Sequence, residues 1–154
     1  MISNNLKAFL TMIAESEGTN YGTDSGYNLL FGSTENKPLY FPNYKDHPRI
    51  FRAFGNGQKS SAAGRYQILA RIYDYYKNLL HLPDFSPESQ DKIAIQMIKE
   101  CKAMPLIEAG NLAGAVKACN SRWASLTGAG YGQHEHKIDQ LKEFYVNAGG
   151  NILA

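Results

Sequence analysis

The spacing of apolar residues changes twice along this chain, and these changes constrain its fold more than any other feature. In residues 3–17 four apolar residues recur at the interval of a helix. They are Leu6, Phe9, Leu10 and Ile13. Between residues 18 and 58, Gly, Asn, Pro and Asp separate short aromatic or β-prone pieces, and from Ser60 the helical spacing returns. We therefore predict an α+β fold, mainly α, with a small β-lobe at residues 18–58 after the first helix.

Length and composition indicate one globular domain spanning residues 1–154. A chain of 154 residues can bury roughly two-thirds of its unfolded surface without metal or disulfide support. No apolar run approaches the ~18 residues of a membrane span, so we expect no stable membrane association. The formal charge of +2 is far from that of nucleic-acid-binding domains, which excludes nucleic acid as an expected partner. We expect a monomer.

Serine, proline and glycine predict where the later helices begin and end. Ser60 or Ser61 can cap a helix through "AAGRYQILARIYDYYKNLL", and Ser86 before Pro87 is typical of a second helix start. Three more helices are predicted. They are a short one from Pro105 to Gly110, one in "NLAGAVKACNSRWASL", and a last one in "EHKIDQLKEFYVNA" that ends at Gly149.

The two cysteines, Cys101 and Cys119, do not form a metal or redox motif. They stand 18 residues apart, outside any Cys-x-x-Cys pattern and without histidine at zinc spacing. Because cytoplasmic thiols stay reduced and free cysteine is commonly buried, we expect two free, buried thiols.

Two glutamates flank Ser16 at the end of the first predicted helix. At about 100° per residue, Glu17 projects about 30° from the centre of the apolar arc, whereas Glu15 projects about 170° from it. We therefore expect Glu15 to be solvated and Glu17 to point to the interior. Burial would raise the pKa of Glu17, which suits a general acid. The residues alone also allow a structural Glu17 that pairs with an arginine or caps local amides.

Five short motifs follow one another along the chain, namely "SEGT" (16–19), "GYN" (26–28), "AGRYQ" (63–67), "DFSPESQD" (84–91) and "WASLTGAGYGQHEHK" (123–137). Their order and approximate spacing resemble those of the lambda-type phage endolysins. The chain resembles this family over nearly its whole length, although the match between residues 28 and 59 is weak.

This resemblance implies a lysozyme-like fold and the activity of a lytic transglycosylase. Such an enzyme cleaves the MurNAc-GlcNAc β-1,4 bond of peptidoglycan glycan strands and leaves 1,6-anhydro-MurNAc ends. In that family the catalytic acid is the glutamate of Ser-Glu-Gly-Thr, which here is Glu17. The family has Gly-Tyr-Asp where this chain has Asn28 as the third residue, so a second carboxylate is absent there. No cofactor and no metal are expected.

The substrate-binding residues predicted beside Glu17 come mostly from the same motifs. They are Tyr27, Asn28, Ser61, Tyr66, Gln67, Tyr131 and Gln133. Gln67 offers a donor and an acceptor to an acetamido group or to Glu17. Tyr66 fits the protein core as well as a sugar platform, and Tyr131 is carried over from the resemblance. Gly64, which is costly at a predicted helix start, indicates close approach of another backbone or of ligand.

Three other functions remain open on the residues. The nearest is a hydrolytic muramidase in which Asp24 acts as base and water as nucleophile. A zinc peptidase would use His134 and His136, with Asp46 and His47 upstream, but on a helix the two histidines lie about 200° apart and cannot hold one metal ion. The third is a wall-binding module without catalysis.

The N-terminus lacks the pattern of a secretory signal, so we expect synthesis in the host cytoplasm. An endolysin without an export segment acts in the periplasm only after a membrane-perforating protein releases it. The resemblance therefore implies a holin as a functional partner.

Overall fold

The computed structural model describes residues 2–129 and 135–153, and this part of the chain is mainly helical. The helices are α1 (Asn4–Glu17), α2 (Ala70–Leu80), α3 (Pro87–Glu100), α4 (Met104–Glu108), α5 (Leu112–Cys119) and α6 (Ile138–Asn147). Two strands, β1 (Arg52–Ala53) and β2 (Lys59–Ser60), lie between α1 and α2. The predicted class, mainly α with a small β element after the first helix, is confirmed.

By its internal contacts the chain divides into two compact units. Residues 1–16 and 94–154 form one, called here the terminal unit, and residues 17–93 form the other, the central unit. The prediction that residues 1–154 form a single domain is not tested by this division and stays a prediction.

The terminal unit is held by the buried side chains of α1 and by hydrogen bonds that join α1 to α4 and to the C-terminal segment. Phe9 and Ile13 are fully buried, as the apolar arc predicts. The Asn5 side chain donates from Nδ2 to the Ile107 carbonyl at 3.0 Å and accepts the Asn151 N–H at 2.9 Å. One asparagine therefore joins α1, α4 and the C-terminal segment.

The β-lobe of the central unit is small and depends on aromatic packing. The two strands pair antiparallel, with Arg52 opposite Ser60, so the sheet extends just beyond the predicted end of the lobe at residue 58. Inside the lobe the Phe31 and Phe54 rings meet edge to face at 5.5 Å, and Phe41 contacts Tyr44 at 5.8 Å. A strand pair this short needs such packing, because two-stranded hairpins are marginal in water.

The predicted start of α3 is confirmed, but the predicted start of α2 is wrong. Pro87 is the first residue of α3, and the Ser86 hydroxyl accepts the Ser89 N–H at 3.3 Å. By contrast, α2 begins at Ala70 rather than after Ser60 or Ser61. In the described ranges no helix has the length and apolar character needed to cross a membrane.

Both cysteines are free, in agreement with the sequence, but only one is fully buried. Cys119 is buried at the end of α5, whereas Cys101 is half-buried after α3. Burial raises the pKa of the Cys119 thiol, and the neighbouring Cys101 thiol raises it further. Both thiols of the pair belong to the terminal unit.

Candidate active site

The first helix ends at Glu17, the glutamate of the Ser-Glu-Gly-Thr motif. Gly18 follows with φ of +73°, a left-handed conformation that favours glycine and ends helices. The hydroxyl of Ser16 is buried, donates to the Ile13 carbonyl at 2.8 Å and lies 2.9 Å from the Ser125 hydroxyl oxygen. These contacts hold the last turn of α1, and Glu17 continues from it as a half-buried side chain.

Glu15 is half-buried as well, so the prediction that it is solvated is wrong. The reason is that α1 is buried outside the predicted arc, for example at Met12 and Ala14. Helix phase therefore does not separate the two glutamates, and the choice of Glu17 depends on the motif.

The two candidates for a second acidic position are both engaged in local hydrogen bonds. Asp24 is exposed and accepts a hydrogen bond from the Tyr44 hydroxyl. Burial of Tyr44 and this carboxylate both raise the pKa of the phenol, which keeps it a donor. The Asn28 amide donates to the Thr23 hydroxyl at 3.0 Å, and its buried Oδ1 accepts no hydrogen bond from the described residues. The amide of Asn28 cannot act as a general base, as a carboxylate at this position could.

The "AGRYQ" motif forms a tight turn rather than the predicted helix start. Ala63 and Ile68 exchange both backbone hydrogen bonds, at 3.1 and 2.9 Å, and the four residues between them make the turn. Gln67 has φ of +52°, which is uncommon outside glycine, and its Nε2 donates to the Gly64 carbonyl at 2.9 Å. Left-handed residues at both ends of the turn exclude a helix here.

Gly64 is required because a side chain lies against it. It has φ of +83°, and a Cβ atom there would lie 2.2 Å from Oε1 of Gln90. Gln90 is fully buried, accepts the Arg65 N–H at 3.1 Å and donates to the Tyr27 carbonyl at 3.0 Å. The predicted close approach is confirmed, but the neighbour is a side chain of α3 rather than a backbone or a ligand.

Asp91, the residue after Gln90, joins two of the predicted site tyrosines. The hydroxyls of Tyr27 and Tyr66 donate to the same oxygen, Asp91 Oδ1, at 2.8 and 2.7 Å. Burial, followed by the charge of Asp91, raises the pKa of Tyr27 to about 12, and the same two causes raise that of Tyr66. Both phenols therefore stay protonated and remain donors near neutral pH.

Two predicted substrate contacts have to be corrected because the side chains are buried. Tyr66 is 1% exposed and has no surface to offer a sugar ring. Ser61 is also buried, and its hydroxyl accepts the Ala70 N–H at 3.0 Å, so it caps α2 instead. Both side chains support the structure of the central unit.

The other predicted binding residues have mixed outcomes. Tyr27, Asn28 and Gln67 are half-buried in the central unit, and their contact with substrate stays a prediction. Tyr131 and Gln133 lie outside the described residues.

Three residues of this site were missed in the sequence, namely Arg65, Gln90 and Asp91. Each stands in one of the motifs that carry the family resemblance, "AGRYQ" or "DFSPESQD". Their place in these motifs could have marked the three residues as candidates. The neighbouring residues in the sequence, however, do not indicate which partners their side chains bind.

The structure does not favour the residues proposed for zinc. Both ring nitrogens of the buried His47 are used, since Nε2 donates to the Ile68 carbonyl at 2.8 Å and Nδ1 accepts the Arg49 N–H at 3.0 Å. Residues 2–129 and 135–153 contain no group of three or more His, Cys, Asp or Glu side chains able to hold a metal ion. His134 lies outside these ranges.

Two solved structures that are similar to this chain are lysozymes of bacteriophage lambda. Bacteriophage lambda lysozyme in complex with a chitohexasaccharide superposes with a TM-score of 0.93 at 44% identity, covering 99% of each chain. A second structure, described as lysozyme from bacteriophage lambda, gives a TM-score of 0.89 at 44% identity, again over 99% of each chain. The chain therefore has a lysozyme-like fold, as the sequence predicts.

Sequence comparison defines the family more narrowly. The endolysin of Escherichia phage lambda is 46% identical over 98% of this chain and 95% of its own length. The endolysin of Escherichia phage P2 is 45% identical over 95% of this chain and 93% of its own length. A family model described as Endolysin matches residues 7–152. The chain belongs to the endolysin family.

Proposed function

We propose that this endolysin is a lytic transglycosylase that cleaves the MurNAc-GlcNAc β-1,4 bond of peptidoglycan, with Glu17 as its catalytic acid. The observation that carries the proposal is a half-buried Glu17 at the end of α1, within the motif of the family's catalytic glutamate. The lambda lysozyme complexed with a chitohexasaccharide supports a β-linked amino-sugar polymer as the class of substrate.

The reaction needs one carboxyl group that first gives and then takes a proton. Glu17 protonates the glycosidic oxygen as it leaves C1 of N-acetylmuramic acid, and the neighbouring N-acetyl group stabilises the cationic centre. The resulting Glu17 carboxylate removes the proton from the C6 hydroxyl of the same sugar. The C6 oxygen then closes onto C1 and forms the 1,6-anhydro ring, so no water is consumed.

The state of the other acidic candidates supports a mechanism with one carboxylate. Asp24 is exposed, and its carboxylate is already engaged by a hydrogen bond from the Tyr44 hydroxyl. Position 28 carries an amide. An intramolecular nucleophile held in position can replace an activated water.

A hydrolytic muramidase is the second candidate, because the two solved structures compared above are named lysozymes. In that mechanism Asp24 would activate a water molecule and Glu17 would remain the acid. The two candidates differ in their products and in their dependence on Asp24.

Digestion of purified peptidoglycan distinguishes the two reactions. A transglycosylase leaves 1,6-anhydro ends that borohydride does not reduce, and mass spectrometry would find them lighter by one water than hydrolytic ends. Reducible muramic acid ends as the main product would exclude the transglycosylase.

Three matched carboxyl-to-amide variants assign the roles. Glu17→Gln should lower kcat by about 10²- to 10⁴-fold with the fold intact, because the proton donor is lost. Glu15→Gln and Asp24→Asn should keep most of the activity. A large loss of kcat in Asp24→Asn would instead support the muramidase, and retained wall binding with unchanged lysis in Glu17→Gln would indicate a binding module.

The route of the enzyme to its substrate is a proposal that follows from family membership. We propose that it accumulates in the host cytoplasm and reaches the periplasmic wall when a holin opens the membrane. Expression in a Gram-negative host with and without a holin tests this, and rapid lysis in both cultures would contradict it.

A further inference from the structure

We propose that Arg65 is a positioning residue that holds the segment after Glu17 and thereby orients the catalytic carboxyl group. The proposal rests on the proposed role of Glu17 as catalytic acid. Arg65 is only 8% exposed and lies in the Ala63–Ile68 turn of the central unit. Neither the motif comparison nor the reaction above gives this side chain a role.

Hydrogen bonds of Arg65 anchor the chain that follows Glu17. Its Nη1 donates to Oδ1 of Asn20 at 2.7 Å and to the Ser25 carbonyl at 2.6 Å. Its own carbonyl accepts a hydrogen bond from the Thr19 hydroxyl. Thr19 is separated from Glu17 only by Gly18, so the first anchor lies two residues from the carboxylate. With only Gly18 between Thr19 and Glu17, a displacement of Thr19 would be passed on to Glu17.

The anchored segment is itself closed into a tight loop. The Tyr21 N–H donates to the Thr19 carbonyl at 2.9 Å. Gly26 has φ of +91°, and a Cβ atom there would lie 1.8 Å from the same carbonyl oxygen. A compact loop moves as one body, so the bonds of Arg65 to Asn20 and Ser25 also restrain its start at Thr19.

Arg65 is in turn fixed by α3. Its N–H donates to Oε1 of Gln90 at 3.1 Å. Its guanidinium carbon lies 5.5 Å from the centre of the Tyr27 ring and 6.0 Å from that of Tyr66, within cation–π range. The hydroxyls of both tyrosines are bound by Asp91. The rigid helix therefore defines where the guanidinium lies, and the guanidinium defines where the loop lies.

Such an arrangement affects catalysis because acid catalysis depends strongly on geometry. A displacement of about 1 Å at the reacting group can lower the rate by about 10²-fold. Lysine keeps the positive charge of Arg65 but lacks the planar group whose Nη1 reaches both acceptors. Arg65→Lys should therefore loosen the loop while the charge is retained.

The test uses the full chain with Arg65→Lys and the milder Asn20→Ala, which changes an exposed acceptor. The matched control is Arg122→Lys, since Arg122 belongs to the terminal unit and forms an ion pair with Glu100 at 3.1 Å. We expect kcat on soluble glycan fragments to fall about 10-fold or more in Arg65→Lys, with KM changed less than about twofold. Asn20→Ala should lower kcat about two- to fivefold, and Arg122→Lys should not change it.

The pH–rate profile separates orientation from loss of structure. A displaced carboxyl group has different surroundings, so the limb of the kcat profile that reports Glu17 should move in Arg65→Lys. Loss of folded protein alone would scale the whole profile without moving the limb.

Each outcome decides the proposal. A folded Arg65→Lys with parental kcat and profile, or one whose loss only follows its folded fraction, overturns it. If Arg65→Lys does not fold, the kinetics of Asn20→Ala test the proposal instead. A parental kcat in Asn20→Ala would then overturn it. An active Glu17→Gln would overturn the proposed function instead, which keeps the two failures distinct.

Discussion

A serine hydroxyl caps the start of both α2 and α3, but the two serines act over different distances along the chain. At α3 the cap is local, because Ser86 accepts the N–H of Ser89 three residues later and Pro87 occupies the first helical position. At α2 the residue at the N-cap, Leu69, provides no side-chain hydrogen bond, and Ser61 accepts the Ala70 N–H from nine residues upstream. A local cap can be recognised in sequence, whereas a distant one depends on the turn that brings it into place.

The largest effect on stability should come from Gly64→Ala, which adds a side chain where the Ala63–Ile68 turn packs against Gln90. The new Cβ would meet Gln90 at 2.2 Å in a left-handed residue, so we expect a loss of at least ~3 kcal/mol in the free energy of unfolding. Urea denaturation followed by circular dichroism measures it. Gly57→Ala is the control, since it has φ of +74° with no atom within 4 Å of the new Cβ and should cost only ~1–2 kcal/mol. Equal losses would contradict the close packing.

The next effect concerns His47, which donates to Ile68 at the end of the same turn. His47→Gln should cost ~2–3 kcal/mol, because a ring packed 4.8 Å from the centre of Phe85 and two hydrogen bonds are lost. Urea titration at pH 7.5 measures this loss, and an unchanged midpoint would show that the turn does not need the ring.

The stability of the parent should also depend on pH through His47. Burial, the main cause, and the nearby Arg49 lower its pKa in the folded protein. The unfolded chain therefore binds the proton more readily, and stability that is complete above about pH 6.5 is lost as pH falls toward the folded pKa. Comparing parent and His47→Gln between pH 7.5 and 5.5 isolates this contribution. The same slope in both proteins would exclude His47 as its source.

Ser61→Ala tests the distant cap directly. It leaves the Ala70 N–H, which is buried at the start of α2, without its acceptor, and we expect a cost of ~1–3 kcal/mol. Ser61→Thr, which keeps the hydroxyl, should recover part of this loss, and failure of both variants to the same extent would indicate a packing effect.

The smallest effect should be that of Ser86→Ala at the local cap. Its cost should be ~1 kcal/mol, since the cap is half-buried and water can partly replace the hydroxyl. Ser86→Asp, which preserves a capping oxygen, should stay near the parental stability. If Ser86→Ala lost more free energy of unfolding than Ser61→Ala, the local cap would be the more important of the two.

The parts of the fold that could be predicted are those set by neighbouring residues. The end of α1 at Gly18, the start of α3 at Pro87 and the short helix before Gly110 all follow from residues that impose their conformation locally. The extent of α2 could not be predicted, because alanine, arginine and glutamine in residues 62–67 favour a helix that the turn overrides.

The candidate site divides in the same way. Glu17 is identified by its motif, and it lies at the helix end where the periodicity placed it. The roles of Arg65 and Asp91 depend on partners 45 and 64 positions away, at Asn20 and Tyr27. No local pattern encodes such pairs, and burial then removed Tyr66 and Ser61 from the predicted sugar contacts.

The distant cap also has a consequence for the order in which the central unit folds. The first turn of a helix is the costly step in its formation, and α3 carries its own cap for that step. The cap of α2 can form only when the chain from Ser61 to Ala70 has closed on itself. We infer that α3 nucleates early and that α2 is completed late in folding, so that removal of the Ser61 hydroxyl should accelerate unfolding with little change in the refolding rate.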